Sequence, residues 1–291
     1  MAMSRYILLV CKRLLIVTLV VALSWFTLFA VFPFVDDRTP VSVAIILTYL
    51  FLAYVGLPAL LRIYHALHKR THVPTRTLAG DGWALDPINL VVLAKNEKEF
   101  KRAMLKAGWV QPDPLNLRSS LKTIYSVLFH RPYPTAPFSN TYVFGKKQDL
   151  GFQIQIDNDL KYRHHVRFWR LGKTALEEHE HANFWQKLLV KFIRKKTEIW
   201  VGAVSTESGV NITRRTLQIT HRQQGDTDAS RDFLVSGLVA AGVIKDALQI
   251  KAGEPLHTRY QGFREKIIAD GYVMLCEIKR QILPPIRAKR K

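Results

Sequence analysis

Two apolar runs dominate the start of the chain. Leu14 to Val35 carries no charged side chain, and after Asp36-Asp37-Arg38-Thr39-Pro40 the run from Val41 to Leu61 carries none either. Each is roughly 20 residues, which at about 1.5 Å per residue reaches across a bilayer core of about 30 Å. In lipid only a helix satisfies its own backbone hydrogen bonds within one segment. The pattern therefore predicts a two-helix transmembrane hairpin over residues 1–65, with spans at about 14–35 and 41–61. The first run is too long, and lacks an Ala-x-Ala site after it, to read as a cleaved signal peptide. Pro58 predicts a kink in the second span.

Beyond the hairpin the period changes. Residues 66–86 show no apolar period and read as a linker with Gly80 and Gly82. Residues 87–278 read as one soluble domain. Ile88 to Ala94 is a short apolar run, a buried strand. Asn96 caps a following helix that places Phe100, Ala103, Met104 and Ala107 on one face and stops at Gly108. Ser119 or Ser120 opens a second helix over Leu121, Ile124, Tyr125 and Leu128. Phe152, Ile154 and Ile156 alternate with polar neighbours, and Arg163 to Leu171 gives a partner strand across the turn Asp157-Asn158-Asp159. Glu198 to Ser205, Thr216 to His221 and Gly271 to Ile278 give three more strands. A helix capped by Asp226 or Asp228 carries Phe233, Leu234, Leu238 and Ala241 and ends at Gly242. The expected fold is α+β, a largely antiparallel sheet flanked by helices behind the N-terminal hairpin.

Charge refines this picture. The chain has 291 residues and a formal net charge of +20. The excess gathers before Thr77 and in a basic tail over 279–291. Arg5, Lys12, Arg13, Arg62, Lys69, Arg70 and Arg76 flank the apolar runs on one side, and only Arg38 lies between them. Short flanks rich in Lys and Arg stay in the cytoplasm, so both ends and the soluble domain are expected there. Basic clusters beside apolar spans favour anionic lipid headgroups, with a protein partner as the other expected contact and no nucleic acid. Cys11 and Cys276 form no CxxC pair, so neither a zinc ribbon nor a redox pair is suggested, and the residues name no cofactor.

Several candidate residues follow from the strands. His165, Arg167 and Trp169 share one strand face, and Gln153 and Gln155 point away from the core in the strand before. Asp149, Gln153, His165, Arg167 and His221 are a candidate anion pocket. In it His165, His221 and Asp149 handle protons, while Arg167, Gln153 and Trp169, with Arg231 and Asp232, hold the ligand. The alternative is structural: Arg231 and Asp232 as ion pairs, and the histidines as hydrogen-bonding edge residues. Phe184 to Lys196 places Trp185, Leu188, Leu189 and Phe192 at helical spacing among Lys187, Lys191, Arg194 and Lys195. That pattern reads either as a membrane-surface helix or as a helix packed on the sheet. Glu177-Glu178-His179-Glu180-His181 reads as a solvated charge run rather than a metal site. No Gly-rich phosphate loop, Gly-x-Ser-x-Gly elbow, His-Glu-x-x-His helix or Pro-Ser-Gly-His segment is present.

A family resemblance rests on several blocks in order. These are Pro87 to Leu93, Ala107-Gly108-Trp109, Phe144 to Gln153, Arg163 to Arg170, Trp200-Val201-Gly202-Ala203, Thr220-His221 and Arg231 to Val235. In that order and spacing the chain resembles the LssY C-terminal domain family. Relatives often carry a second His after the position of His221, where this chain has Arg222. The resemblance brings no defined reaction. Larger relatives join such domains to DedA-like and phosphatidic-acid-phosphatase-like membrane domains, which implies lipid or envelope biology at a bacterial inner membrane. Two functions are expected on this basis: a membrane-anchored module binding an anionic ligand or partner, or an enzyme on a phosphate- or carboxylate-bearing envelope metabolite.

Overall fold

A computed structural model gives the fold. It describes residues 41–67, 75–80, 82, 84–129, 131–157, 159–172, 185, 197–212, 219–259 and 266–279, with the single positions 18, 22, 25 and 29. The first predicted span otherwise lies outside the described residues. The second is helical but not uniform: α1 (Val41–Phe51), a π-helical turn (Leu52–Gly56) and α2 (Leu57–Leu67) follow without a gap. Leu57 N–H reaches back five residues to the Leu52 carbonyl, and Pro58, next in line, has no N–H to offer. The irregularity thus falls just before the proline rather than as a kink at it. Among the described residues no single helix is long and apolar enough to cross a membrane.

The chain is folded earlier than its composition suggests. Within the expected linker, β1 (Arg76–Leu78) and β2 (Ala84–Pro87) already pair. Then follow β3 (Leu90–Ala94), α3 (Glu97–Lys106), α4 (Leu117–Leu128), β4 (Tyr142–Val143) and β5 (Lys146–Lys147). The long strands come next: β6 (Leu150–Ile156), β7 (Asp159–Arg170), β8 (Glu198–Ile212) and β9 (Ile219–Gln223). Last are α5 (Thr227–Ala240), β10 (Ile244–Lys251), β11 (Leu256–Arg259), β12 (Lys266–Ala269) and β13 (Tyr272–Ile278).

The main sheet has the order β10-β13-β3-β8-β7-β6, with β9 also on β8. Among the described residues its single parallel pair is β3 with β13; the other pairs are antiparallel. β3 is buried along its whole length, which is why it reads as a continuous apolar run rather than an alternating one. A smaller sheet runs β2-β1-β4-β5. Its β4–β5 turn holds Phe144 and Gly145 at φ of 51° and 70°, the pair of positive values a two-residue primed hairpin requires. Phe144 tolerates that backbone because its ring is buried edge-on against Trp185, with ring centres 6.3 Å apart.

Local chemistry sets the helix starts. Asn96 accepts from Glu99 N–H at 2.9 Å, and Glu99 accepts from the N–H of Lys95, the residue before the cap, at 2.8 Å. α4 opens earlier than Ser119: Asn116 accepts from Ser119 N–H at 2.9 Å, and Ser119 Oγ accepts from Asn116 N–H at 3.0 Å. Asp226 caps α5 through Asp228 and Ala229 N–H.

The main sheet separates two apolar layers. On one face α3 and α5 cover Leu90, Val92, Phe152, Val166, Phe168 and Trp200, with Phe100 set into the centre. Phe100 meets Phe168 edge-on, with ring centres 4.7 Å apart. On the other face Ile88, Val91, Trp169, Trp185, Val201 and Leu275 form the second layer.

A sealed polar grid as candidate functional site

Strand register builds the site. Gln153 lies opposite His165, and His165 opposite Ser205. One step along, Gln155, Arg163 and Glu207 align; one step the other way, Gly151, Arg167 and Ala203 align. Alternation along a strand puts all nine on one face of the sheet, the face away from α3 and α5.

Several of these side chains pair with one another. Arg163 grips Glu207 with two nitrogens, Nε to Oε2 at 2.5 Å and Nη2 to Oε1 at 3.3 Å. Its Nη1 donates to Gln153 Oε1 at 2.9 Å. Gln153 Nε2 in turn donates to the Pro134 and Ala136 carbonyls at 2.9 and 2.7 Å. Ser205 Oγ lies 2.9 Å from His165 Nε2 and 3.1 Å from Asp86 Oδ2. His165 Nδ1 faces Glu207 Oε1 at 3.6 Å, and Arg167 Nη1 faces Asp86 Oδ2 at 3.8 Å. Gln153, His165 and Ser205 are fully buried, and Asp86, Arg163, Arg167 and Glu207 nearly so. Among the described residues two guanidinium groups of the cluster meet two carboxylates. Burying ions is tolerable only with such pairing.

The segment 131–140 roofs this grid. The Phe138 ring lies 4.6 Å from the Arg167 guanidinium carbon and 5.6 Å from the His165 ring centre. It reaches the sheet because Gly151 has no side chain: a Cβ there would stand 2.5 Å from Phe138 Cζ. Tyr133 anchors the roof by donating to Asp113 Oδ2 at 2.6 Å. Burial, then the bond to Asp113, pushes its phenol up to about 12.

The other expected site residues fall elsewhere. Asp149 is exposed at the start of the β6 hairpin, where Oδ2 takes Lys146 Nζ at 2.8 Å and Arg170 N–H at 2.6 Å; it closes a turn and is no proton-handling partner of His165. Trp169 is in the second apolar layer, its Nε1 donating to the Lys146 carbonyl at 3.2 Å, and holds no ligand there. Arg231 and Asp232 belong to a separate cluster on α5. Trp185 is 1 % exposed, which corrects its reading as a membrane-surface residue: the indole is part of the core. His221 sits on β9 opposite Val210, but its side chain lies outside the described residues, as do Lys187, Lys191, Arg194 and Lys195.

Arg231 holds the α5 cluster together. Its Nη1 meets Asp228 Oδ1 at 3.1 Å and Asp270 Oδ1 at 3.0 Å, and its Nε meets Asp232 Oδ1 at 2.8 Å. The cluster ties the first turn of α5 to the turn before β13. Burial opposes the Arg231 charge, but the bonds to Asp270 and Asp232 outweigh it and raise its pKa. Burial likewise lifts Asp228 to about 6, against the pull of Arg231. Asp270 resists its own burial through the Arg231 bond and stays below the ordinary value. A carboxyl that binds its proton more tightly when folded than when unfolded adds stability as pH falls through about 6, and withdraws it as pH rises. Asp228→Asn removes that contribution. The difference in denaturation midpoint, variant minus wild type, is expected to grow as pH is raised from 5 to 7; a difference independent of pH would contradict the assignment.

A third group lies on the opposite face. His164 Nδ1 is 2.7 Å from Thr206 Oγ1, which is 2.7 Å from Ser230 Oγ. The imidazole stacks on Phe233 at 4.0 Å, and burial lowers its pKa.

The LssY C-terminus family matches residues 70–273. The chain belongs to the LssY C-terminus family. The matched range takes in β1 and β2, in keeping with a folded unit that begins ahead of Pro87, and it contains the whole polar grid. No curated protein matches the chain, and no solved structure does. Among the described residues no group of His, Cys, Asp and Glu is placed to hold a metal ion. The described cleft beside Arg76, Ile88, Trp185, Glu254 and Tyr272 contains no residue of the grid.

Sequence reasoning placed Gln153, His165 and Arg167 together, and the LssY C-terminus domain does bring them together. It missed Asp86, Phe138, Arg163, Ser205 and Glu207. Period two already put Arg163 on the face of His165. Ser205 and Glu207 were hidden because β8 continues well past Ser205, where its apolar run ends.

Proposed function

We propose that this LssY C-terminus domain is held at the cytoplasmic side of a bacterial inner membrane by its N-terminal helices, and that it binds anionic lipid or an anionic partner with its outer surface. The observation that carries this reading is the run α1–π turn–α2. It has no charge from Val41 to Leu61 and turns Ile45, Ile46, Leu47, Leu50 and Val55 outward. Such exposed apolar side chains are costly in water and at ease in acyl chains. The buried arginines do not serve as the anion site in this reading, because each already faces a carboxylate. The net positive charge outside the grid takes that part. The test is a Leu50→Cys probe in the full chain, reconstituted in vesicles. Quenching by acyl-chain nitroxides supports the tether; ready labelling by an aqueous maleimide overturns it.

One observation favours a second reading. Ser205 Oγ lies 2.9 Å from His165 Nε2, and His165 Nδ1 lies 3.6 Å from Glu207 Oε1; turning the Ser205 hydroxyl from Asp86 to His165 would put the three in nucleophile–base–carboxylate order. Lifting of the 131–140 roof would turn that order into a hydrolytic centre acting on an acyl or related group. Labelling of the full chain by a fluorophosphonate, abolished in Ser205→Ala, supports this reading; an unlabelled full chain removes it.

A further inference from the structure

Helix α4 is built inside out. Its inward positions are Ser119, Thr123 and Ser126, small hydroxyl residues spaced one and two turns apart, with Val127 as the one apolar residue packed inward, against Tyr133, Ala136 and Leu160. Their hydroxyls are satisfied locally, on the carbonyls of Pro114, Ser119 and Arg131. Its outward positions are Leu117, Leu121, Ile124, Tyr125 and Leu128, followed by Phe129, all between 54 % and 77 % exposed. An amphipathic helix on a soluble domain buries its apolar stripe and wets its hydroxyls. Here the stripe faces out along the whole helix, so an apolar environment covers it from outside.

Charge says which environment. From Pro114 to Gln148 the chain has no acidic residue, while Arg118, Lys122, Arg131, Lys146 and Lys147 are basic. Arg118 lies on the exposed side of α4, and Lys122, one turn on, sets its ammonium 3.8 Å from the Tyr133 ring centre. A second copy of this helix would bring positive charge against positive charge with no carboxylate between. An anionic bilayer surface meets both needs at once, since long basic side chains reach the headgroups while leucines enter the acyl boundary.

We propose that α4 is an interfacial membrane helix: its Leu117–Leu121–Ile124–Leu128 stripe lies in the headgroup–acyl boundary of an anionic bilayer, on the leaflet that carries the N-terminal helices. It rests on the tether reading for its leaflet, but its lipid contact is measured separately. The domain then touches the membrane at two places.

The test uses the full chain with Cys11→Ser, carrying Leu121→Cys or Leu50→Cys labelled with an environment-sensitive fluorophore. The native Cys276 is buried, its thiol pushed up to about 12 by burial and Asp246, and does not compete for label. In vesicles of phosphatidylethanolamine with phosphatidylglycerol, the Leu121 probe is expected to be quenched several-fold more by acyl-chain nitroxides than by aqueous iodide. Strong iodide quenching overturns the proposal, and so does shielding from both quenchers, which would mean a protein cover. Undiminished lipid contact in pure phosphatidylcholine overturns the anionic assignment. If the Leu50 probe meets lipid and the Leu121 probe meets water, the tether stands and the interfacial helix falls. The reverse pattern sinks the tether and leaves α4 on the membrane.

Discussion

Arg163→Ala is expected to destabilise the domain by about 3–5 kcal/mol, a large share of the roughly 5–15 kcal/mol that holds a domain folded. The guanidinium is almost wholly buried and bonds Glu207 twice and Gln153 once. Removing it leaves the Glu207 carboxylate without its main partner in a place water does not reach, and orphans an oxygen of Gln153. The loss therefore exceeds the worth of the pair itself. The control is the double replacement Arg163→Met with Glu207→Leu, which removes both charges and keeps apolar volume. It is expected to recover most of the loss, because a buried ion pair is near break-even against apolar groups of its size. Chemical denaturation in detergent micelles checks both. A single variant as stable as wild type, or a double variant as damaged as the single, would contradict the sealed-grid account.

Trp185→Ala is expected to cost about 3–5 kcal/mol, the range for emptying a large aromatic from a packed core. The indole contributes to the second apolar layer beside Phe144, Trp169 and Leu275. The same replacement is expected to leave vesicle binding of the folded protein unchanged, because the ring does not reach the surface. The opposite result, an ordinary midpoint with weakened vesicle binding, would restore Trp185 to the membrane surface.

The Trp185 case shows what the sequence can and cannot carry. Helical spacing of Trp185 among lysines is the same whether the apolar stripe meets lipid or a sheet; only the presence of a partner layer decides, and that layer is assembled from Ile88, Phe144 and Trp169, distant in the chain. α4 shows the same limit. Leu121, Ile124, Tyr125 and Leu128 give a helical period from sequence, but a period does not say which side faces the protein, and here the serines do. Where the signal is local, the reading succeeds. The Asn96 cap, the pairing of β6 with β7 and the turn at Asp157 are set by neighbours in sequence, and all appear in the structure; the expected alternation of buried and exposed residues does not, because the polar face that holds Gln153 is buried too. β1, β2, β4 and β5 have two to four residues each and exist only because they pair with one another. Such short strands leave no periodic trace. The polar grid was half legible for the same reason. Gln153, His165 and Arg167 share a hairpin, whereas Asp86 and Glu207 reach them only through the sheet.

The most direct measurement is a spin-label accessibility scan of the full chain in anionic vesicles. Nitroxides go one at a time to positions 45, 50 and 55 on the N-terminal helices and 117, 121, 124 and 128 on α4, with Leu248 on β10 as an exposed reference. Both segments are predicted to favour collisions with oxygen, which concentrates in acyl chains, and Leu248 to favour a water-soluble nickel chelate. Nickel-dominated collisions at 121, 124 and 128, equal to those at 248, would place α4 in water and contradict a domain that meets the membrane on two surfaces.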